Sequence, residues 1–277
     1  MIRLLQIEFI KLWNNRASKV LIILSFLLPF TIAFITSIKI DLGFVRLDPA
    51  EYGIFDFPFI WHWNTYFAAA FKLFFALVAI SMVANEYNYR TLKQNLIDGL
   101  SKKEVVLSKF YVTIVYSLIS TIGVFIMSLI IGSIYSSYNE ASIIFRDLEY
   151  LFAYFLKLVA FFSFCLFITT LVRRSIFSIG IIVLLSAIEW ISYAYLRWEV
   201  YEDEAYSFAE NISQFFPLMS MYNLVEQPFL RYAKKVSPEE IGIAHDYAVQ
   251  WGEILIAMGW TAIFVYGSYL LLKKRDL

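Results

Sequence analysis

Residues 111–134 read YVTIVYSLISTIGVFIMSLIIGSI, 24 positions without one charged side chain. A helix rises about 1.5 Å per residue, so roughly 20 apolar residues cross the hydrocarbon layer of a bilayer. This stretch is long enough to do so. Outward from it, five more runs share its character: residues 19–40, 63–84, 150–172, 175–196 and 252–272. Basic residues flank the six runs in alternation. The four regions on the N-terminal side of the alternation carry fourteen Lys and Arg against five acids, a net +9. The three regions between them carry seven basic and sixteen acidic residues, a net −9. The positive-inside rule then places both termini in the cytoplasm. The expected fold is all-α: a single polytopic membrane domain over residues 1–277 with six transmembrane helices.

Composition agrees. The chain is 60% hydrophobic, with 27 Phe, 19 Tyr and 7 Trp, far from the usage of soluble domains. The formal net charge of zero hides the segregation just described. The basic residues hug helix ends, where lipid headgroups account for them, so no nucleic-acid partner is expected. Cys165 is the single cysteine and lies inside an apolar run, which excludes an intrachain disulfide and a cysteine metal cluster. The first run is too long for a signal-peptide core and reads as a retained signal anchor, with Pro29 expected to kink it. His62 and His245 are far apart, so no histidine metal site is expected, and His62 is given a structural or solvent role. No phosphate loop, zinc-protease helix or serine elbow occurs. The chain is therefore not expected to be an enzyme, and no cofactor is expected in it.

Three segments outside the runs carry information. In residues 2–16, Ile2, Leu5, Phe9, Leu12 and Trp13 recur at helical spacing between polar residues, which predicts a helix lying in the interface. Residues 86–109 are far longer than a connector needs. They read as two short helices broken at Gly99, with Leu92, Leu96 and Leu100 on one face. Ser101 and Glu104 fit a capping box. Residues 197–251 open with Glu199, Glu202, Asp203 and Glu204 and continue through a moderately apolar stretch, 208–230. As a seventh span that stretch would put Lys273, Lys274 and Arg275 outside, so a partly immersed or interfacial helix pair is expected instead. Ser237 and Pro238 look like a further helix start.

Away from the ends of the runs, three charged residues fall deep within them: Lys72, Lys157 and Glu189. Charges at such depth are costly and normally find partners or function. Lys72 and Glu189 lie at similar depths, which allows a salt bridge between them, a direct role on a substrate or proton, or snorkelling to headgroups.

Taken together, the chain resembles an ABC-2 type transporter permease, the membrane subunit of a bacterial ABC exporter. The opening Leu4-Leu5-Gln6-Ile7-Glu8-Phe9-Ile10-Lys11-Leu12 is similar to that family's amphipathic elbow helix, here within residues 1–18. Glu86, Thr91-Leu92, Gly99-Leu100-Ser101-Lys102-Lys103 and Lys109-Phe110 are similar to its segment between spans two and three, which carries the coupling helix that sits on the ATPase. The resemblance implies the ABC-2 exporter fold, a bacterial cytoplasmic (inner) membrane location, and short helices in the outer segment 197–251. It implies a separate ABC ATPase subunit in two copies, which binds ATP and Mg. It implies a second permease copy as homodimer or paralogous heterodimer, and membrane lipid around the assembly. It also implies that Glu86, Thr91, Leu92, Leu96, Gly99, Leu100, Ser101, Lys102 and Lys103 couple the permease to the ATPase. Members of the family export drugs, peptides, sodium or polysaccharides. The aromatic content favours an amphipathic or lipid-like cargo, and the acidic outer regions would draw cationic molecules. The alternative reading is a membrane anchor or sensory subunit that binds a cytoplasmic partner and transports nothing.

Overall fold

The computed structural model describes residues 2–38, 40–41, 46–47, 53–138, 140–199, 209, 211–236 and 247–275. The chain opens with α1 (Ile2–Asn14), the amphipathic helix its spacing predicts. Glu8 and Leu12 are buried against the rest of the protein, while Ile10 and Trp13 are exposed. Asn15 ends α1 and caps the next helix. Its side chain accepts from Ala17 N at 3.0 Å and Ser18 N at 3.2 Å. Helix α2 (Arg16–Ser37) then runs through Pro29 as one element. Two-residue strands β1 (Ile40–Asp41) and β2 (Arg46–Leu47) pair antiparallel and are a minor exception to the all-α architecture.

The second apolar run is two helices, α3 (Phe59–Ala70) and α4 (Lys72–Asn88), bent by 43° at Phe71. Around the break, Phe71 N bonds to Ala68 O and Phe74 N to Phe71 O, so the local bonds reach back three residues rather than four. Neither Pro nor Gly marks the position. Next comes the short helix α5 (Thr91–Ile97), followed by α6 (Lys102–Tyr135). The second short helix expected after Gly99 is the first part of α6, a continuous 34-residue helix about 51 Å long. The turn α7 (Ala141–Ile144) leads into α8 (Glu149–Val172). Arg173 closes α8 in the left-handed region, and α9 (Ser175–Glu199) follows at once. Helices α10 (Pro217–Asn223) and α11 (Phe229–Val236) are short, and α12 (Trp251–Lys273) ends the fold. Among the described residues five helical stretches (α2, α6, α7–α8, α9 and α12) are long and apolar enough to cross a membrane, and the bent pair, counted as one span, makes six. The molecule is an all-α polytopic membrane protein.

Helix α8 is the axis of the bundle. It packs against α12, α6, α4, α3 and α9, and most of its side chains, Cys165 included, are buried. An aromatic knot joins four helices at mid-height. The Phe75 ring stacks on Tyr116 and meets Phe162 edge-on, and Phe26 packs on the far side of Tyr116. The Tyr116 hydroxyl donates to Ser25 Oγ at 2.6 Å, which satisfies its polar end inside the bundle. Helices α2 and α9 lie at the periphery and keep many large apolar side chains exposed, as lipid-facing helices do. Near the acidic end, the tip of the Phe57 ring abuts Gly132 of α6. A Cβ there would sit 2.3 Å from the ring, so this close approach requires glycine.

The stretch 211–236 does not cross. Arg231 of α11 donates to Asp147 Oδ2 at 2.6 Å and to the Tyr150 hydroxyl at 3.0 Å, next to the start of α8. The segment dips beside α8 and returns to the same end, as the charge rule requires. The helix start at Ser237–Pro238, the cluster Glu202–Asp203–Glu204 and His245 lie outside the described residues.

Candidate functional site

At the basic end, four helices converge on a buried ion cluster. Lys109 Nζ of α6 lies 2.6 Å from Glu8 Oε2 of α1 and 2.6 Å from Glu86 Oε1 of α4. Lys11 adds bonds of 2.9 Å to Glu86 and 3.4 Å to Glu8. Asn95 of α5 donates to Glu86 Oε1 at 3.4 Å. Two cations and two carboxylates balance, and Glu8, Glu86 and Lys109 are all buried. Removing one member of such a cluster strands its partners in a poorly hydrated place, a loss of about 3–5 kcal/mol. Burial works against the charge on Lys11, but the Glu86 and Glu8 carboxylates outweigh it and hold its pKa above the ordinary lysine value. Only the Glu8–Lys11 spacing of three residues is a local signal. The other ion pairs of the cluster join positions 23 to 101 residues apart, which no sequence pattern pairs.

Helix α5 hangs from this cluster. Arg90 enters it and Gly99 leaves it with positive φ, 56° and 97°, the second a conformation that suits glycine. The capping box forms as its spacing implies. Glu104 N donates to Ser101 Oγ at 3.2 Å, and Ser101 N to Glu104 Oε2 at 2.8 Å. The leucine face turns inward. Leu92 is 4% exposed and packs with Val105 and Leu272, while Leu96 and Leu100 lie half-buried against the same cluster. Thr91, Lys93, Gln94, Asp98, Gly99, Ser101 and Lys103 are exposed, and Lys102 is half-buried. The large apolar side chains standing outward are Tyr89 at 75% and Ile97 at 71% exposure. Lys102 Nζ reaches the carbonyl of Arg275 at 2.9 Å, and the Arg275 guanidinium donates to Leu171 O and Thr170 O. The ends of α8 and α12 are thereby tied to the start of α6.

Within the spans, the three charged residues separate into a bracketing pair and an outlier. Glu189 of α9 accepts from Leu218 N at 2.9 Å and Met219 N at 2.8 Å, the free amides at the start of α10. Pro217 opens that helix and has no N–H of its own. Lys157 of α8 donates to Tyr222 O at 3.1 Å and Val225 O at 3.0 Å, at the other end of α10. The anion sits at the positive end of a short helix and the cation at its negative end, where each is stabilised. The salt bridge weighed for Lys72 and Glu189 is not formed, because Glu189 is committed to α10. Among the described residues Lys72 makes no hydrogen bond or ion pair, and its ammonium lies 4.5 Å above the Phe161 ring. Such a contact is worth about 2 kcal/mol when desolvated, against roughly 2.5–3.5 kcal/mol for a lysine at the centre of a spanning helix. The ring alone does not offset the charge.

A last cluster locks the acidic end. His62 is fully buried and stacks on Tyr150 at 4.2 Å. Its Nε2 lies 2.9 Å from Glu226 O, an acceptor only, so Nε2 carries the proton. Nδ1 is left to accept from Arg231 at 3.4 Å. The histidine is structural, as its isolation in the sequence suggests. Among the described residues no group of three or more His, Cys, Asp or Glu could hold a metal ion.

A bundle of five or six apolar spans among the described residues, with its ionic cluster gathered at the basic end and polar anchors holding the segment 211–236, defines a multi-pass membrane protein. A model of the ABC-2 family transporter protein matches residues 4–189, about two thirds of the chain, and the chain belongs to that family. Comparison with curated proteins finds none that matches.

Proposed function

We propose that this chain is the membrane-spanning permease subunit of an ATP-driven exporter in a bacterial cytoplasmic membrane. Two copies, identical or paired with a paralogue, work with two copies of a separate ABC ATPase. The observation that carries this reading is the ion cluster of Glu8, Lys11, Glu86 and Lys109 with Asn95 attached. It joins α1, α4, α5 and α6 into one block at the basic end. A block of this kind transmits force. Movement of a partner seated on α5 is passed to two spans at once rather than absorbed in a loop. In this reading α1 is the elbow helix and α5 the coupling helix. The outward Tyr89 and Ile97 make the first contacts with the ATPase, with Thr91, Gly99, Ser101, Lys102 and Lys103 around them. Leu92 holds α5 in place from behind, and Glu86 fixes its base.

The test is reconstitution with an ABC ATPase subunit from the same organism. The permease is expected to co-purify with that subunit, to raise its ATP hydrolysis, and to export cargo only when the ATPase is catalytically intact. A partner that binds the chain while no cargo moves, even with its catalytic site intact, would make the chain an anchor or sensory subunit instead.

A further inference from the structure

Two of the three intramembrane charges are accounted for by α10, and Lys72 is not. It stands at the first position of α4, on the bend between two helices, about 18 Å below the outer end of α3 at 1.5 Å per residue. The residue is half-buried rather than fully enclosed. The Phe161 ring beneath it is buried, while Leu73, the next residue, and Phe67, earlier in the same bent span, are exposed. Lys157, the nearest other cation in this region, offers no countercharge, and Glu189 is held by α10. A cation at membrane depth without a carboxylate is the arrangement that recruits an anion from outside the chain.

We infer that Lys72 binds an amphiphile with an acidic headgroup, the ammonium taking the acid and the exposed apolar side chains of the same bent span, Leu73 and Phe67, meeting the apolar body. Entry is lateral, from the membrane. The outer regions carry a net −9 and repel an anion approaching from the water on that side. The same chemistry is offered by a free fatty-acid-like molecule and by an anionic phospholipid. This inference rests on the export reading for its purpose and not for its test, because binding is measured without the ATPase.

The full-length permease is placed in nanodiscs of phosphatidylcholine and titrated with cis-parinaric acid and with its methyl ester, with empty discs as baseline. The acid is expected to bind at least tenfold more tightly than the ester. Lys72→Arg should keep that preference, and Lys72→Met and Lys72→Gln should abolish it. Size-exclusion profiles show whether each variant is folded. The acid–ester comparison on the wild type decides the matter even where a variant is not. Adding phosphatidylglycerol to the discs separates the sources. Displacement of the acid identifies the lipid headgroup as the natural occupant, and no displacement identifies a free amphiphile. Equal binding of acid and ester by the wild type, or an undiminished preference in a folded Lys72→Met protein, overturns the assignment. Loss of ATPase-driven transport with this binding intact would count against the export reading alone.

Discussion

At the scale of single residues, the fold relies on side chains that bind across long sequence separations. Lys109 faces two carboxylates at once, so Lys109→Met leaves Glu8 and Glu86 buried with only the half-exposed Lys11 between them. That variant should lose about 3–5 kcal/mol of stability, read as a lower melting temperature in detergent. Adding Glu86→Gln removes the surplus charge and should recover part of the loss, a non-additivity that a double-mutant cycle measures. Additive losses would show that the cluster is not coupled. Lys11 supplies a pH signature. Its folded pKa lies above the unfolded one, so its contribution is complete below about pH 10.4 and disappears as pH rises through the folded value. Melting curves across alkaline pH should therefore fall more steeply for the wild type than for Lys11→Met. The exposure of Lys11 keeps the difference small. The pairings of this cluster were not legible in the sequence, where Glu86 and Lys109 stood out only through the family resemblance and Glu8 and Lys11 only through their spacing of three. The Ser101–Glu104 box was legible because it is complete within four residues. Lys157 and Glu189 were legible as misplaced charges, but their partners are backbone groups of α10, which no residue-to-residue pairing reveals.

At the scale of elements, apolar length decides which helices cross, and local geometry decides how each is broken or joined. The six runs are visible because hydrocarbon thickness sets a length that few other constraints produce. The bend at Phe71 is not visible, because bends read from sequence depend on Pro or Gly and this one has neither. Helix α5 shows the same division. Its leucine stripe was legible, but the stripe does not say which surface it faces. It packs on the start of α6 and the end of α12. Two substitutions separate holding from docking. Leu92→Asp puts a carboxylate into the Val105–Leu272 cluster and should destabilise the permease itself, with α5 more readily cleaved by protease. Ile97→Asp changes a side chain that is 71% exposed and should leave melting unchanged. If α5 is the docking element, Ile97→Asp should weaken ATPase binding about tenfold, or about 1.4 kcal/mol, the scale of one apolar side chain withdrawn from an interface. Affinity unchanged by Ile97→Asp and by a matching Tyr89→Asp would move the docking surface away from α5.

At the scale of the whole molecule, charge segregation and three-dimensional packing divide the chain at the same places. The basic end gathers α1, α5, the start of α6 and the ends of α8 and α12, through Lys109 with Glu8 and Glu86 and through Lys102 with the Arg275 carbonyl. The acidic end gathers the start of α3, the start of α8 and α11, through Arg231 with Asp147 and His62 with Glu226. Residues 211–236 bond to acidic-end partners and to groups partway down α8 and α9, so the described residues give six crossings when the bent pair α3–α4 counts as one. An even number returns α12 to the side of α1. The proposed orientation rests on the net +9 of that side, since basic loops resist translocation while acidic ones do not. Single cysteines at Lys103 and Lys274, in a Cys165→Ala background, should react with a membrane-impermeant maleimide only after cells are opened. Cysteines at Glu51 and Glu204 should react in intact cells. Lys103 and Lys274 found on opposite sides would mean a seventh crossing between α9 and α12, and the anchoring of α10 by Lys157 and Glu189 could not then describe the protein in the membrane. Both found on the outside, with Glu51 and Glu204 within, would keep the six crossings and reverse the orientation, placing α5 where no cytoplasmic ATPase can reach it.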